Sequence, residues 1–159
     1  MGINDSKQVA PALREELADQ IKSVALFYAI EHIQPNELDE HGMTSSLKRA
    51  FANALRAIEM QGASPTVVLL DGNPLHFDAR ETNVIKGDAK VASIAAASII
   101  AKVERDSMMR EFARTYPEYG FEHNKGYGSE EHRNAIAKYG LTPLHRRSFC
   151  TSFVQETLF

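Results

Sequence analysis

The stretch 86–128 carries Lys86-Gly87-Asp88-Ala89, a run of small and β-branched residues from Ala92 to Lys102, Tyr116-Pro117, and His123-Asn124-Lys125-Gly126-Tyr127-Gly128. Its reading decides the fold. Alanine, serine and isoleucine dominate the first half of the run, so a helix formed there can lie unusually close to a sheet. Asp88 is placed as the N-cap of that helix, a position where a carboxylate satisfies orphan N–H groups and meets the positive helix end. The helix is expected to reach about Thr115, where Pro117 and Gly120 stop it. A glycine-rich loop and a helix from Ser129 to Tyr139 follow. Beyond the Thr142-Pro143 break, one or two short terminal helices are expected.

Outward toward the N-terminus, Val67-Val68-Leu69-Leu70 is short, continuous and apolar, and Thr66 to Leu70 reads as a buried strand delivering Asp71-Gly72 from its end. A loop with Gly72, Pro74 and Asp78 leads to a second short strand near Asn83 to Ile85, expected to return beside the first in a hairpin-like way. Leu13, Leu17, Ile21 and Val24 follow Pro11 at helical spacing and predict an amphipathic helix. Leu26 to Ile33 reads as a strand and Glu37 to Glu40 as a short turn capped by Asn36. Thr44 caps a helix to about Met60, with Leu47, Phe51, Leu55 and Ile58 on one face. Helices alternating with strands imply an α/β layer architecture with helices flanking a sheet. No linker or repeat divides the chain, so residues 1–159 are taken as a single domain, with 116–159 a helical extension.

Composition excludes several classes. At 159 residues with 43% apolar and 25% charged residues, the chain can bury a core, and no run is long enough to span a bilayer. The lone Cys150 makes no internal disulfide and suits a reducing cytoplasm. A net charge of −3 argues mildly against a general nucleic-acid binder, so such binding would rest on local clusters: Lys86, Lys90 and Lys125, or His145-Arg146-Arg147. The histidines show no metal-ligand spacing. No glycine-rich phosphate fingerprint follows a strand, which leaves little support for a small-molecule α/β enzyme.

Two aspartates remain as candidate catalytic groups. Asp71-Gly72 is a common turn pair and Asp88 a common cap, so each alone has a purely structural reading. Together, at a strand end and a helix start, they suit a hard divalent cation, Mg²⁺ or Mn²⁺, which prefers oxygen ligands and shares its shell with substrate phosphates. In two-metal hydrolysis one ion activates the attacking water and the other stabilises the leaving oxygen, which is why acids must cluster. Glycines on both sides of Tyr127 let a backbone approach it closely, as a substrate loop requires. Asp106 reads as a structural ion-pair partner beside Arg105, and Cys150 as a small buried residue.

Nearly the whole chain resembles bacterial ribonuclease HII, from Gly2-Ile3-Asn4-Asp5-Ser6-Lys7 to His145-Arg146-Arg147-Ser148-Phe149. Asn4 to Lys7, Asp71-Gly72-Asn73, Lys86-Gly87-Asp88, the Ala96-Ala97-Ser98-Ile99-Ile100-Ala101-Lys102 run into Arg105-Asp106, and Lys125-Gly126-Tyr127 occur in the family's order. The resemblance implies a ribonuclease H-like α/β fold, a mixed sheet flanked by helices, and a monomeric endonuclease using Mg²⁺ or Mn²⁺. Such an enzyme hydrolyses the RNA strand of RNA–DNA hybrids and the bond 5′ of ribonucleotides embedded in duplex DNA, leaving a 3′-hydroxyl and a 5′-phosphate. It makes Asp71 and Asp88 the third and fourth members of an Asp-Glu-Asp-Asp set. It also makes Tyr127 the ring packed on the deoxyribose beyond the ribonucleotide, and Lys7, with Asn4 and Ser6, the backbone contact near the scissile phosphate. Lys125 and Arg146 are further candidates for phosphate contact.

The family's first strand carries Asp-Glu-Ala-Gly-Arg-Gly, and that segment does not occur in this sequence. The expectation is therefore a chain lacking the first two strands and two of the four carboxylates, poorly active and poorly ordered by itself. The alternative is a non-catalytic remnant that still binds hybrid or duplex backbones, or an unstable fragment.

Overall fold

The computed structural model describes residues 10–155. The elements are α1 (Pro11–Val24), α2 (Pro35–Met60), β1 (Val68–Asp71), β2 (Glu81–Val84), α3 (Ala92–Thr115), α4 (Phe121–Asn124), α5 (Glu130–Tyr139) and α6 (Arg147–Gln155). The fold is α/β, helical throughout its C-terminal part. The chain forms two compact units, one from residues 10–32 and 44–103 and the other from residues 33–43 and 104–155.

In the first unit β1 and β2 pair in parallel, with Val68 opposite Glu81 and Asp71 opposite Val84. The hairpin-like return is therefore corrected: the chain crosses back along residues 72–80 and runs β2 in the same direction as β1. Parallel neighbours need a crossover, usually a helix. Here side chains shape a loop instead. The Glu81 carboxylate accepts from Leu75 N at 2.7 Å and Phe77 N at 3.0 Å. Arg80 binds Asp78 and Glu59, each at 2.8 Å, and donates to Pro65 O at 3.1 Å. The hydrogen bonds from Arg80 hold the Asp78 carboxyl down to about 2. Phe77 of the same loop stacks on Phe51 of α2, with centroids 5.5 Å apart.

Leu70 of β1 is buried, as are Ile94, Ala95, Ile99 and Ile100 of α3. The packed face of α3 is thus its isoleucine face, with Ala95 the one small residue buried in it, while Ala92, Ser93, Ala97 and Ala101 are exposed. Gly87 shows how close that packing is. A Cβ there would lie 2.6 Å from Ile94 Cδ1 and 3.4 Å from both Val84 Cβ and Asp71 Oδ1.

Other expectations in this unit are corrected. Residues 25–34 form no strand: Leu26 is 91% exposed, and Tyr28 O accepts from Gln61 Nε2 at 3.3 Å rather than from a neighbouring strand. A strand persists only with a ladder partner, and among the described residues this segment has none. In α1 the buried positions are Arg14 and Ala18, while Leu13 and Val24 of the expected apolar stripe are exposed. The turn expected at Glu37 to Glu40 is part of α2, whose helical geometry breaks at Gly42 (φ +74°), just before Thr44 restarts it. The terminal region holds one described helix, α6.

The second unit has its own core of Met109, Tyr119, Phe121, Ala135, Ile136 and Cys150, flanked by Phe112, Tyr116, Leu141 and Leu144. Burial pushes the Cys150 thiol pKa up, in keeping with an inert core cysteine. Asp39 caps α6 from a distance in sequence, accepting from Arg147 N at 2.6 Å and Ser148 Oγ at 2.5 Å. Two histidines are buried within this aromatic core. His132 Nε2 and His145 Nε2 lie 3.0 Å apart, with Tyr119 and Phe121 against both rings. Burial, and then the neighbouring His132, lower the His145 pKa below its ordinary value.

Two outcomes are expected. Gly87→Val should overpack the Ile94 contact and cost about 1–3 kcal/mol, whereas Gly128→Ala, with nothing within 4 Å of its Cβ, should be near neutral. Matching urea midpoints for the two variants would refute the close-packing account. For His145, the lowered native pKa means that the unfolded chain takes up the proton first. Its stabilising contribution is full above about pH 6.5 and falls as pH drops below that value toward the native pKa. Urea midpoints measured between pH 7.5 and 5.5 should decline on acidification, and His145→Gln should flatten that slope.

Candidate functional site

Parallel pairing decides where the two candidate aspartates go. In a parallel sheet both strands end at the same edge, and open α/β sheets bind ligands outside the carboxyl ends of their strands. Asp71 is the last residue of β1, and Gly72 N continues the ladder to Val84 O at 3.1 Å. Immediately beyond β2 the chain turns at Lys86, whose backbone is left-handed (φ +56°), into a 3-10 turn over Gly87–Ala89. Gly87 N–H donates to Asp71 Oδ1 at 2.7 Å. Asp71 is thus fixed against the turn that carries Asp88, at the carboxyl end of the strand pair. Asp71 is exposed and Asp88 partly buried.

Asp88 is not the N-cap of α3. It lies inside the 3-10 turn, and Val91 takes the capping place, its carbonyl accepting from Ala95 N at 3.0 Å. The sequence signal is ambiguous, because an aspartate beside a glycine suits a tight turn as well as a cap. The correction matters chemically, since a carboxylate spent on capping has fewer lone pairs for a cation. Lys90 Nζ donates to Ile85 O at 2.8 Å and so closes the same turn.

In the second unit the Lys125-Gly126-Tyr127-Gly128 loop is tied down at nearly every backbone group. Asn124, itself buried, donates from Nδ2 to Tyr119 O at 2.6 Å and accepts from Gly126 N at 2.8 Å. Arg105 Nη2 donates to Lys125 O at 3.0 Å, and Arg133 Nη1 to Gly128 O at 2.9 Å. His132 Nδ1 lies 2.9 Å from Tyr127 O, which also accepts from Ser129 N at 2.8 Å. Gly126 has φ +76°, and a Cβ there would sit 3.1 Å from Met109 Cε. The left-handed backbone favours glycine, and a side chain there would also displace the end of Met109 by a few tenths of an ångström. On this fixed loop the Tyr127 ring is 62% exposed, with the Arg105 guanidinium carbon 5.8 Å from its centroid. An exposed aromatic on a rigid backbone, flanked by a cation, is the kind of platform on which sugars and bases stack.

Lys125 adopts a left-handed backbone (φ +51°) where glycine or asparagine would be less strained. Its ammonium donates to Glu122 O at 2.6 Å. The Arg146 guanidinium lies 3.5 Å over the Phe149 ring, and Phe149 is 64% exposed. Asn4, Ser6 and Lys7 lie outside the described residues.

Arg105 is the residue that sequence reading missed. Instead of simply pairing with its neighbour Asp106, it reaches twenty residues along the chain to the substrate-type loop. Asp106 itself is buried. Among the described residues no group of three or more His, Cys, Asp or Glu side chains is placed to hold a metal ion. The role of the histidines in holding Tyr127 has no short-range sequence signal. The pair His132 and His145 is assembled from two segments by the core.

Comparison with known proteins identifies the family to which such a fold belongs. The sequence model of the family described as Ribonuclease HII matches residues 1–152. The chain is 44% identical over 149 residues to a ribonuclease HII of Clostridioides difficile (strain 630), covering 93% of this chain and 57% of that protein. It is 40% identical to a ribonuclease HII of Chlorobium phaeobacteroides, covering 92% and 71% respectively. The chain therefore spans little more than half the length of some of the relatives it matches. The crystal structure of ribonuclease H2 from Pyrococcus horikoshii OT3 superposes with a TM-score of 0.80 at 27% identity, covering 98% of this chain and 82% of that one. With a family match across nearly all of its residues and a fold shared with a solved relative, the chain belongs to the ribonuclease HII family.

Proposed function

We propose that the chain acts as a metal-dependent endonuclease on RNA–DNA hybrids and on duplex DNA containing ribonucleotides, cleaving on the 5′ side of the ribonucleotide. The observation that supports this reading is the Asp71–Gly87 hydrogen bond, which in a ribonuclease HII-family chain ties the Asp71 carboxylate to the turn that carries Asp88. The donor set fits a hard cation: both groups offer oxygen, and Asp71 uses only Oδ1 in the bond to Gly87. Asp71 and Asp88 would hold Mg²⁺ or Mn²⁺, with water and phosphate oxygens filling the shell. When bound, such an ion supplies Lewis-acid polarisation of the phosphoryl group and a water of lowered pKa.

The remaining groups grip the duplex. Tyr127 packs on the sugar beyond the ribonucleotide, steered by Arg105. Lys125 and Arg146 meet phosphates, and Lys7, with Asn4 and Ser6, contacts the backbone near the scissile bond. The enzyme works as a monomer in the cytoplasm; among the described residues no helix is long and apolar enough to cross a membrane. Two carboxylates make a sparse cage, and no larger ligand cluster occurs among the described residues. Turnover by the 159-residue chain alone is therefore slow, and hybrid binding without cutting is the second reading.

The test has three parts. Calorimetric titration with Mn²⁺ should show weak binding that Asp71→Asn reduces without loss of helix signal; identical affinities would remove Asp71 from the site. Joined behind a segment bearing Asp-Glu-Ala-Gly-Arg-Gly, the chain should nick a duplex carrying one ribonucleotide, and EDTA should abolish the cut. Metal-independent binding with no nicking in the joined protein favours the second reading. In the same background Tyr127→Ala should lower cleavage about ten- to a hundredfold, the equivalent of roughly 1–3 kcal/mol for one aromatic platform. Lys125→Asn should leave stability unchanged or slightly raised, since asparagine tolerates the left-handed backbone. It should nonetheless weaken duplex binding and reduce the salt slope by about one. A Lys125→Asn protein that binds as tightly as the parent would remove that lysine from the interface.

A further inference from the structure

Hydrogen bonds in series through the buried histidine pair leave one arrangement of protons. Thr142 N–H points at His145 Nδ1 from 2.9 Å, with the Thr142 hydroxyl also at 2.9 Å. A backbone amide only donates, so that nitrogen carries no proton, and a neutral His145 bears its hydrogen on Nε2. His145 Nε2 faces His132 Nε2 at 3.0 Å, so the latter accepts and His132 carries its proton on Nδ1. His132 Nδ1 then donates to Tyr127 O, an acceptor only, at 2.9 Å. The chain of donors runs one way, from the Thr142 amide through two imidazoles to the carbonyl of Tyr127. Ionising either ring sets two N–H groups face to face. Tyr119, Phe121 and Thr142 pack against the pair, and of these Tyr119 titrates, with its hydroxyl occupied by Gly140 O at 2.8 Å.

We propose that His132 and His145 are positioning residues, which relay a fixed hydrogen bond from the Thr142 turn to Tyr127 O and thereby set how the Tyr127 ring is presented. The consequence for substrate rests on the reading that Tyr127 meets the duplex. The tautomers follow from geometry alone. An isolated neutral histidine has no such constraint, whereas here each ring is held by the partner of the other. The device also explains why a loop bearing an exposed aromatic needs a buried polar pair beneath it. The Tyr127 carbonyl accepts from Ser129 N and, from the buried side, from His132 Nδ1–H, so both of its lone pairs are used.

The test uses the full 159-residue chain. Long-range nitrogen–proton correlation spectra near pH 7.5 should place the proton of His132 on Nδ1 and that of His145 on Nε2. Both rings protonated on Nε2 would overturn the relay. His132→Leu should speed amide hydrogen exchange at Tyr127 and Ser129 by about tenfold or more while α1 amides stay unchanged. His132→Asn, whose amide can donate where Nδ1–H did, should restore most of the protection. Unchanged exchange in His132→Leu would overturn the proposal. If that variant fails to fold, the parent's tautomers and the contrast between His132→Asn and the parent still decide it. Fluorescence anisotropy with a duplex carrying one ribonucleotide separates the two readings. Weaker binding in both Tyr127→Ala and His132→Leu, without additivity in the double variant, supports the relay and the substrate contact together. If Tyr127→Ala leaves binding unchanged while His132→Leu still loosens the loop, the substrate reading fails and the relay stands.

Discussion

The bond from Gly87 N–H to Asp71 Oδ1 at 2.7 Å is the constraint on which the candidate metal site depends. It is possible only because β1 and β2 run parallel, so that the end of one strand and the exit from the other meet at the same sheet edge. An antiparallel return would have carried Asp88 to the opposite end of the pair. Glycine at position 87 then does two things at once: it presents an amide to Asp71, and it lets the Ile94 side chain of α3 come in close. The carboxylate geometry, the strand direction and the helix packing are thus one arrangement, and altering any of them moves the others.

The second unit applies a different principle. Its candidate contact is a single exposed ring, and rigidity comes from the polar groups beneath it. Arg105, Asn124, Arg133 and His132 each satisfy a backbone group of the Lys125–Gly128 loop. Polar groups that lose water are costly unless matched, so a nearly complete set of partners disfavours alternative loop conformations. The aromatic core of Tyr119 and Phe121 supplies the apolar wall against which the histidine pair is held. A platform that stays fixed when empty loses less entropy on meeting a duplex than one that must be ordered on contact.

Local signals were enough for much of this. The spacing of apolar residues and the Pro, Gly and Ser boundaries located α3, α5 and the second part of α2 within a few residues, because helix periodicity and caps are short-range properties. Ser129 caps α5 through His132 N at 3.2 Å, as its position suggests. Segment 26–33 misled, since alternation without a ladder partner makes no strand. The apolar stripe of α1 misled as well, since Arg14 and Ala18 are the residues that the fold covers.

By itself the sequence determined the α/β class, the family resemblance, and the positions of the glycine-flanked tyrosine loop and of the two candidate aspartates, all of which are written in contiguous residues. Only the tertiary structure decided that the strands pair in parallel, that Asp88 occupies a 3-10 turn rather than a helix cap, and that Arg105, His132 and His145 converge on the tyrosine loop. Strand direction and side-chain convergence depend on pairing and burial between residues far apart in the chain, and such contacts leave no periodicity for a local reading to find.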